Sequence, residues 1–370
     1  MIRFENVVKK FGDTEVIKGI NLEIGDNELV VLIGPSGCGK TTSLKMINRL
    51  IEPTSGTIYI NDQDILKSNP IDLRRNMGYV IQQIGLFPHM TVGENIELLP
   101  LLKNWPKEKR RKRAEELLDL VGMSPNEYMD RYPSELSGGQ QQRIGVARAL
   151  ATNPEIILMD EPFSALDPIT RTQLQDELFN LQQELKKTIV FVTHDMDEAL
   201  KLGDRICIMR DGQVLQFDTP EVLLRHPSHG FVEEFIGKKR MWQQPEYVKV
   251  EDIMIQNPIK AMPARTLTQA MEIMSASGVD SLLIVDDKNK LIGIATAGDI
   301  RQNWDKAKKL DEIYKREVLG VRPEDSIVEV LKMMAQNNIG YVPVTDAKGT
   351  LKGLITRSSL VKVLGEKYVG

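Results

Sequence analysis

Gly34-Pro35-Ser36-Gly37-Cys38-Gly39-Lys40-Thr41-Thr42 stands between the apolar run Leu29-Val-Val-Leu-Ile33 and the stretch Ser43-Leu-Lys-Met-Ile47. The spacing is Gly, four residues, then Gly-Lys-Thr, after a predicted strand and before a predicted helix. Glycines let backbone N–H groups curl around an anion. Lys40 can reach the β- and γ-phosphates of a nucleotide, and the Thr41 hydroxyl can hold Mg²⁺. The residues from Gly34 to Thr42 therefore predict a phosphate-binding turn in an α/β fold.

Three more short apolar runs farther along the chain have the same character: Ile156 to Met159, Ile189 to Val192 and Ile206 to Met209. Runs apolar on both faces are typical of buried parallel strands. Between them lie helix-spaced residues such as Leu174, Leu178, Leu181 and Leu185. The alternation predicts a mostly parallel sheet. Ligands bind at the carboxyl ends of such strands, where the run Ile156 to Met159 delivers Asp160-Glu161 and the run Ile189 to Val192 delivers Thr193-His194. Asp160 is expected to hold Mg²⁺ through its water shell, Glu161 to polarise an attacking water, and His194 to meet the γ-phosphate.

A second glycine-containing segment, Leu136-Ser137-Gly138-Gly139-Gln140, resembles the signature of ATP-binding-cassette (ABC) ATPases. Phe11, Gln82 in Tyr79-Val-Ile-Gln-Gln, Ser164-Ala-Leu-Asp167 and His194 follow that family's order, and the resemblance covers residues 1 to 237. It implies a head-to-tail dimer of cassettes. Phe11 would stack on adenine, Ser137, Gly139 and Gln140 would close over the γ-phosphate bound by the other protomer, and Gln82 would join Thr41 and Asp160 at Mg²⁺ and assist catalysis. Leu86-Phe-Pro-His-Met-Thr-Val-Gly-Glu-Asn95 resembles the importer-type segment that faces the coupling helices of membrane permease subunits.

Composition agrees with a folded chain of more than one domain. There are 370 residues, 41% of them hydrophobic, with 48 Lys and Arg against 52 Asp and Glu for a net charge of −4, so no nucleic-acid partner is expected. The longest apolar run, Leu29 to Ile33, falls far short of the about 20 residues that a membrane span needs. The opening Met1-Ile-Arg-Phe-Glu-Asn lacks the features of a secretory signal, and the two cysteines, Cys38 and Cys207, are too few for a disulfide framework. A reducing, cytoplasmic setting is expected, at the inner face of the membrane if permeases are partners. Cys38, at a variable position of the phosphate loop, reads as incidental, although a thiol at a helix N-terminus can be partly activated. Lys107-Glu-Lys-Arg-Arg-Lys-Arg113 reads as an exposed helix start.

The last part repeats itself. At a shift of 60, Pro263 falls on Pro323, Met274 on Met334, Asp286 on Asp346, Leu291 on Leu351, Gly293 on Gly353 and Thr296 on Thr356. Each copy reads as helix, strand, Asp-containing turn, strand and short helix, and two copies predict a pseudo-two-fold pair. The pair resembles tandem CBS modules, named after cystathionine β-synthase, so the chain is expected to be an α/β cassette followed by an α+β CBS (Bateman) pair. Expected boundaries are 1–237 for the cassette, 238–250 for a linker, 251–308 for the first repeat and 309–370 for the second. Gly293-Ile-Ala-Thr296-Ala-Gly-Asp299 fits the family's pattern, in which Thr meets phosphate and Asp the ribose hydroxyls. In the second copy Ser359 replaces that Asp. A cassette followed by CBS modules resembles the ATPase subunit of bacterial glycine betaine, carnitine and choline importers. The implied partners are permease subunits and an extracellular solute-binding protein. Cyclic di-AMP between two CBS pairs is a further expectation, with Val279, Tyr341 and Arg357 as contacts beside Thr296 and Asp299. The competing readings are an ATPase of another importer class and a soluble cassette protein outside transport.

Overall fold

The structure is a computed structural model that describes the chain except residues 82–84, 165, 229, 238–239, 241–243, 360 and 362–370. It divides into two compact units, Met1–Ile236 and Gly237–Gly370.

In the first unit the strands are β1 Ile2–Phe11, β2 Thr14–Ile24, β3 Leu29–Ile33, β4 Ser55–Ile60, β5 Gln63–Asp64, β6 Met77–Val80, β7 Ile156–Asp160, β8 Thr188–Thr193, β9 Arg205–Arg210 and β10 Gln213–Asp218. Six form one sheet in the order β10-β9-β3-β8-β7-β6. It is parallel from β9 to β6, with β10 antiparallel at the edge. Every residue of β3, β7 and β8 is buried, which explains their unbroken apolar sequences. Successive side chains leave a strand on opposite faces, so Leu29, Val31 and Ile33 enter one core with Ile157, Met159 and Phe191. Val30 and Leu32 enter another with Phe4, Ile17 and Ile24.

That second core is closed by an antiparallel sheet, β2-β1-β4-β5, which the pattern of apolar runs does not predict. Its strands are half-buried, and β1 breaks register between Phe4 and Val7 and again between Lys9 and Lys10, so neither a clean alternation nor an unbroken apolar run marks it. On the other face pack the helices Val92–Leu102, Lys107–Leu120 and Gly138–Leu150. The basic run does begin an exposed helix. Only Ala114, Leu117 and Leu118 of Lys107–Leu120 are buried, while Arg110 pairs with Glu97 and Lys109 lies over the Trp105 ring.

The second unit holds β11 Lys260–Ala261, β12 Ser281–Val285, β13 Leu291–Thr296, β14 Tyr341–Thr345 and β15 Leu351–Thr356, with helices Leu267–Ser277 and Ile327–Gln336. The shift of 60 reproduces both hairpins. The two copies also exchange their leading segments. Val248 and Val250, expected in the linker, are buried in the core of the second copy with Ile327 and Val342. Leu310, sixty residues after Val250, is buried in the core of the first with Leu282 and Ile284. The backbone repeats the exchange: Val250 N donates to Asp325 O and Leu310 N to Arg265 O, while Ile255 N donates to Leu354 O and Lys315 N to Ile294 O. Neither copy completes its core without the other's flank. Among the described residues no helix is long and apolar enough to cross a membrane.

Candidate functional site

The parallel strands β3, β7 and β8 end on one sheet edge. After β3 the chain turns through Gly34 to Gly39 into the helix Lys40–Ile47. A Cβ at Gly34 would lie 2.0 Å from the Met209 carbonyl oxygen and 2.9 Å from Cys38 Sγ. At Gly39, with φ at +104°, it would lie 2.3 Å from Ile17 Cδ1. Both positions require glycine, so the backbone between them, carrying Pro35, Ser36, Gly37 and Cys38, can curl tightly. Lys40 is 6% exposed, and its ammonium donates to the carbonyls of Gly34 at 2.7 Å and Pro35 at 3.0 Å. A buried ammonium needs such acceptors. Thr42 follows in the same helix.

Thr41 Oγ1 donates to Asp160 Oδ1 at 2.8 Å, joining the turn to the end of β7. Burial pushes the Asp160 carboxyl above its usual range, against the Thr41 hydrogen bond and Lys45, with Glu161 adding to the rise. Two hard oxygen donors side by side suit Mg²⁺, which takes one or two protein oxygens and completes its shell with phosphates and water. Among the described residues no cluster of three or more His, Cys, Asp or Glu is placed to hold a metal ion. Cys38 agrees with the incidental reading: burial outweighs Lys40 and the local backbone N–H groups and pushes its thiol pKa up, away from activation.

Glu161 has φ of +46°, unusual for a side chain with a Cβ, and its backbone N–H donates to Val192 O at 3.0 Å. Conformations of this kind cost about 1 to 3 kcal/mol and persist where the surroundings enforce them. Here the bond to β8 does so. His194 follows β8 with its Nδ1 3.6 Å from Glu161 Oε2. Behind them Thr193 Oγ1 donates to the buried Glu198 at 2.6 Å, a contact that the sequence reading missed. Ser164 Oγ bonds back to Glu161 O, and Asp167 caps the helix Pro168–Leu185.

Ser137 caps the helix Gly138–Leu150 in a reciprocal box with Gln140, whose side-chain amide also donates to Tyr128 Oη at 3.2 Å. A Cβ on Gly139 would lie 2.8 Å from Thr170 Cγ2. Phe11 is half-exposed, with Lys9 Nζ 4.9 Å over its ring. Gln82 lies outside the described residues. Within 86–95, the fully buried Asn95 donates to the carbonyls of Phe87, Met90 and Thr91 and accepts from Phe87 N–H, while Phe87 is exposed.

In the second unit Thr296 caps the helix Ala297–Gln302, and its hydroxyl donates to Asp299 Oδ2 at 2.7 Å. Lys315 Nζ takes the other oxygen at 3.0 Å. Burial would raise the Asp299 carboxyl, but hydrogen bonds from Thr296 and Lys315 hold it below the usual range. Burial raises the Tyr341 hydroxyl, with Lys315 opposing and Asp299 and Asp280 adding to the rise. Thr296, Asp299, Lys315 and Tyr341 thus share one locality, and Val279 precedes Asp280 beside it. Arg357 belongs to the second copy, where its guanidinium donates to Asn338 Oδ1 at 3.3 Å and Ser359 meets Thr356 at 3.1 Å. Lys315 carries no sequence signal, because its counterpart at a shift of 60 is Ile255.

The ABC transporter family matches residues 17–164, and the CBS domain family matches 250–305 and 310–366. The glycine betaine/carnitine/choline transport ATP-binding protein OpuCA of Bacillus subtilis (strain 168) is 51% identical, covering 100% of this chain and 98% of its own length. The osmoprotectant import ATP-binding protein OsmV of Salmonella typhimurium is 41% identical, covering 98% of this chain and 96% of its own length. Among solved structures, a dimeric ATP-binding cassette in a post-hydrolysis state bound to ADP and phosphate matches with a TM-score of 0.55 at 40% identity, over 60% of this chain and 99% of that one.

Proposed function

We propose, since the chain belongs to the ABC transporter ATP-binding proteins with tandem CBS domains, the family of the betaine, carnitine and choline transport ATP-binding proteins, that it drives import of a quaternary-ammonium compatible solute. It is an ABC ATPase. The observation that carries the site reading is the meeting of Lys40, Thr41 and Asp160 at the sheet edge where Glu161 and His194 also end.

In this reading the backbone from Gly34 to Gly39 and the Lys40 ammonium hold the β- and γ-phosphates of ATP. Thr41 and Asp160, joined by Gln82, hold Mg²⁺, which when bound neutralises phosphate charge. Glu161 orients the attacking water and His194 contacts the γ-phosphate. Phe11 supports adenine, and Ser137, Gly139 and Gln140 of a second cassette offer their helix N-terminus to the same nucleotide. The segment 86–95, held in shape by Asn95, faces permease subunits at the cytoplasmic side of the membrane, and a solute-binding protein delivers cargo outside. The CBS pair takes a nucleotide second messenger, cyclic di-AMP, at the locality of Thr296, Asp299 and Tyr341, with Val279 and Arg357 as further contacts.

Glu161→Gln keeps the shape and loses the carboxylate, so ATP binding is expected to persist while steady turnover falls by about 10² to 10⁴. With the γ-phosphate retained, a cassette dimer should accumulate on sizing columns. Wild-type turnover in this variant would remove Glu161 from its role. Co-purification of the full chain with membrane permeases separates transport from a soluble role.

A further inference from the structure

Behind His194 lies a buried carboxylate that the reaction, as read above, does not use. Glu198 accepts from Thr193 Oγ1 at 2.6 Å and from Gln175 Nε2 at 3.2 Å. The same Thr193 hydroxyl accepts from the Asp195 backbone N–H at 3.0 Å, so its bonds hold the chain on both sides of His194. A β-branched side chain has little torsional freedom, and a hydroxyl bonded to a carboxylate makes one of the stronger hydrogen bonds. Together they set the direction in which the strand end delivers the imidazole.

The network continues to another segment. Arg171 donates through Nη2 to Leu166 O at 3.0 Å. Its Nε is buried without a hydrogen-bond partner and lies 4.0 Å from Glu198 Oε1. Glu161, Ser164, Arg171, Thr193, His194, Asp195 and Glu198 line one cavity of about 20 Å³, room for a single water. A guanidinium that already holds the Leu166 backbone is therefore aimed at the carboxylate that holds the His194 backbone, one small movement short of a hydrogen bond.

We propose that Glu198 is a positioning residue for His194 and that Arg171 ties it to Leu166, so that a shift of the Leu166 backbone reaches the imidazole through Arg171, Glu198 and Thr193. This rests on the reading of His194 as a γ-phosphate contact. Burying a carboxylate is costly unless it is hydrogen-bonded and paired, and burial already pushes the Glu198 carboxyl up against its donors. A fold that needed only to fill this space could do so with an apolar side chain.

The test is steady-state ATPase activity of the full chain carrying Thr193→Val, Thr193→Ser, His194→Ala and the double variant Thr193→Val/His194→Ala. Thr193→Val, nearly isosteric, is expected to lower kcat about tenfold or more with KM within about threefold, the pattern of an interaction made in the transition state. Thr193→Ser restores the hydroxyl and is expected to stay near wild type. The double variant should be no slower than His194→Ala alone, because both changes act through the same imidazole. Independent, multiplying losses would overturn the proposal, as would a wild-type kcat in Thr193→Val or equal damage from Val and Ser. If His194→Ala itself keeps the wild-type rate, the reading of His194 falls first, so the two failures are distinguishable. Arg171→Met, at a side chain about a third exposed, tests the same link should Thr193→Val not fold. It is expected to lower kcat in the same non-additive way, and additivity with His194→Ala would again overturn the proposal.

Discussion

At residue 34 a single methyl group decides whether the phosphate turn can close. A Cβ there would stand 2.0 Å from the Met209 carbonyl oxygen, and no side-chain rotation relieves that clash, since the obstacle is backbone of β9. Gly34→Ala must therefore push the turn away from the sheet. Overpacking of this kind typically costs about 1 to 3 kcal/mol, and the shift displaces the carbonyl on which Lys40 Nζ rests. The expected outcome is a lower melting temperature together with at least about tenfold weaker ATP binding by calorimetry, the equivalent of about 1.4 kcal/mol. Unchanged affinity in a folded Gly34→Ala protein would separate the turn from the nucleotide. Gly37, where a Cβ meets nothing within 4 Å, is limited only by its φ of +78°, so Gly37→Ala is the milder control.

Among the elements, the segment 86–95 enters the helix Val92–Leu102 through the Thr91–Glu94 capping box, and the Asn95 side chain ties the residues before it to that helix. Asn95 spends its amide on three carbonyls and its oxygen on one N–H, so Asn95→Ala takes these bonds from the part-buried Met90 carbonyl and Phe87 N–H, while the Phe87 and Thr91 carbonyls keep the backbone N–H groups of Met90 and Asn95. Groups left unpaired in this way cost about 1 to 3 kcal/mol, readable as a lower urea midpoint at unchanged slope. If this segment faces the permease, Asn95→Ala should also lose permease co-purification while the full chain keeps ATPase activity. Retained co-purification would place the contact elsewhere. The elements differ in how far their sequences announce them. β3, β7 and β8 are readable because burial on both faces writes an apolar run, and Gly34 to Thr42 because a tight anion turn restricts residue type. The antiparallel sheet is not, since its half-buried, bulged strands give no single period. The Arg171–Glu198–Thr193 link and the Lys315–Asp299 pair are invisible for another reason: each joins charged or polar residues whose meeting depends on chain reversals rather than on spacing.

For the molecule as a whole, the exchange of leading segments makes the CBS pair one cooperative body, with Val250 and Leu310 each completing the other copy's core. Its two halves are nevertheless chemically unequal: Asp299 pairs with Lys315 in the first, whereas Ser359 meets only neutral Thr356 in its corresponding bond. If the pair takes a nucleotide as proposed, the Asp299–Lys315 locality of the first copy differs from that of the second, where Arg357 is the charged candidate, and a two-fold ligand such as cyclic di-AMP would call for two such pairs in a dimer of chains. Such a ligand can shift the cassettes only by its differential affinity for their two states, about 1 to 3 kcal/mol in typical allosteric couplings. Calorimetry of the full chain with cyclic di-AMP is expected to give one ligand per two chains. Transport by the assembled complex should fall when it binds. Tyr341→Ala and Asp299→Asn should each weaken the binding at least about tenfold, about 1.4 kcal/mol, without changing basal ATPase activity of the ligand-free chain, because neither residue belongs to the ATP site. One AMP or ATP per chain, with no heat from cyclic di-AMP, would overturn the second-messenger reading in favour of an energy sensor.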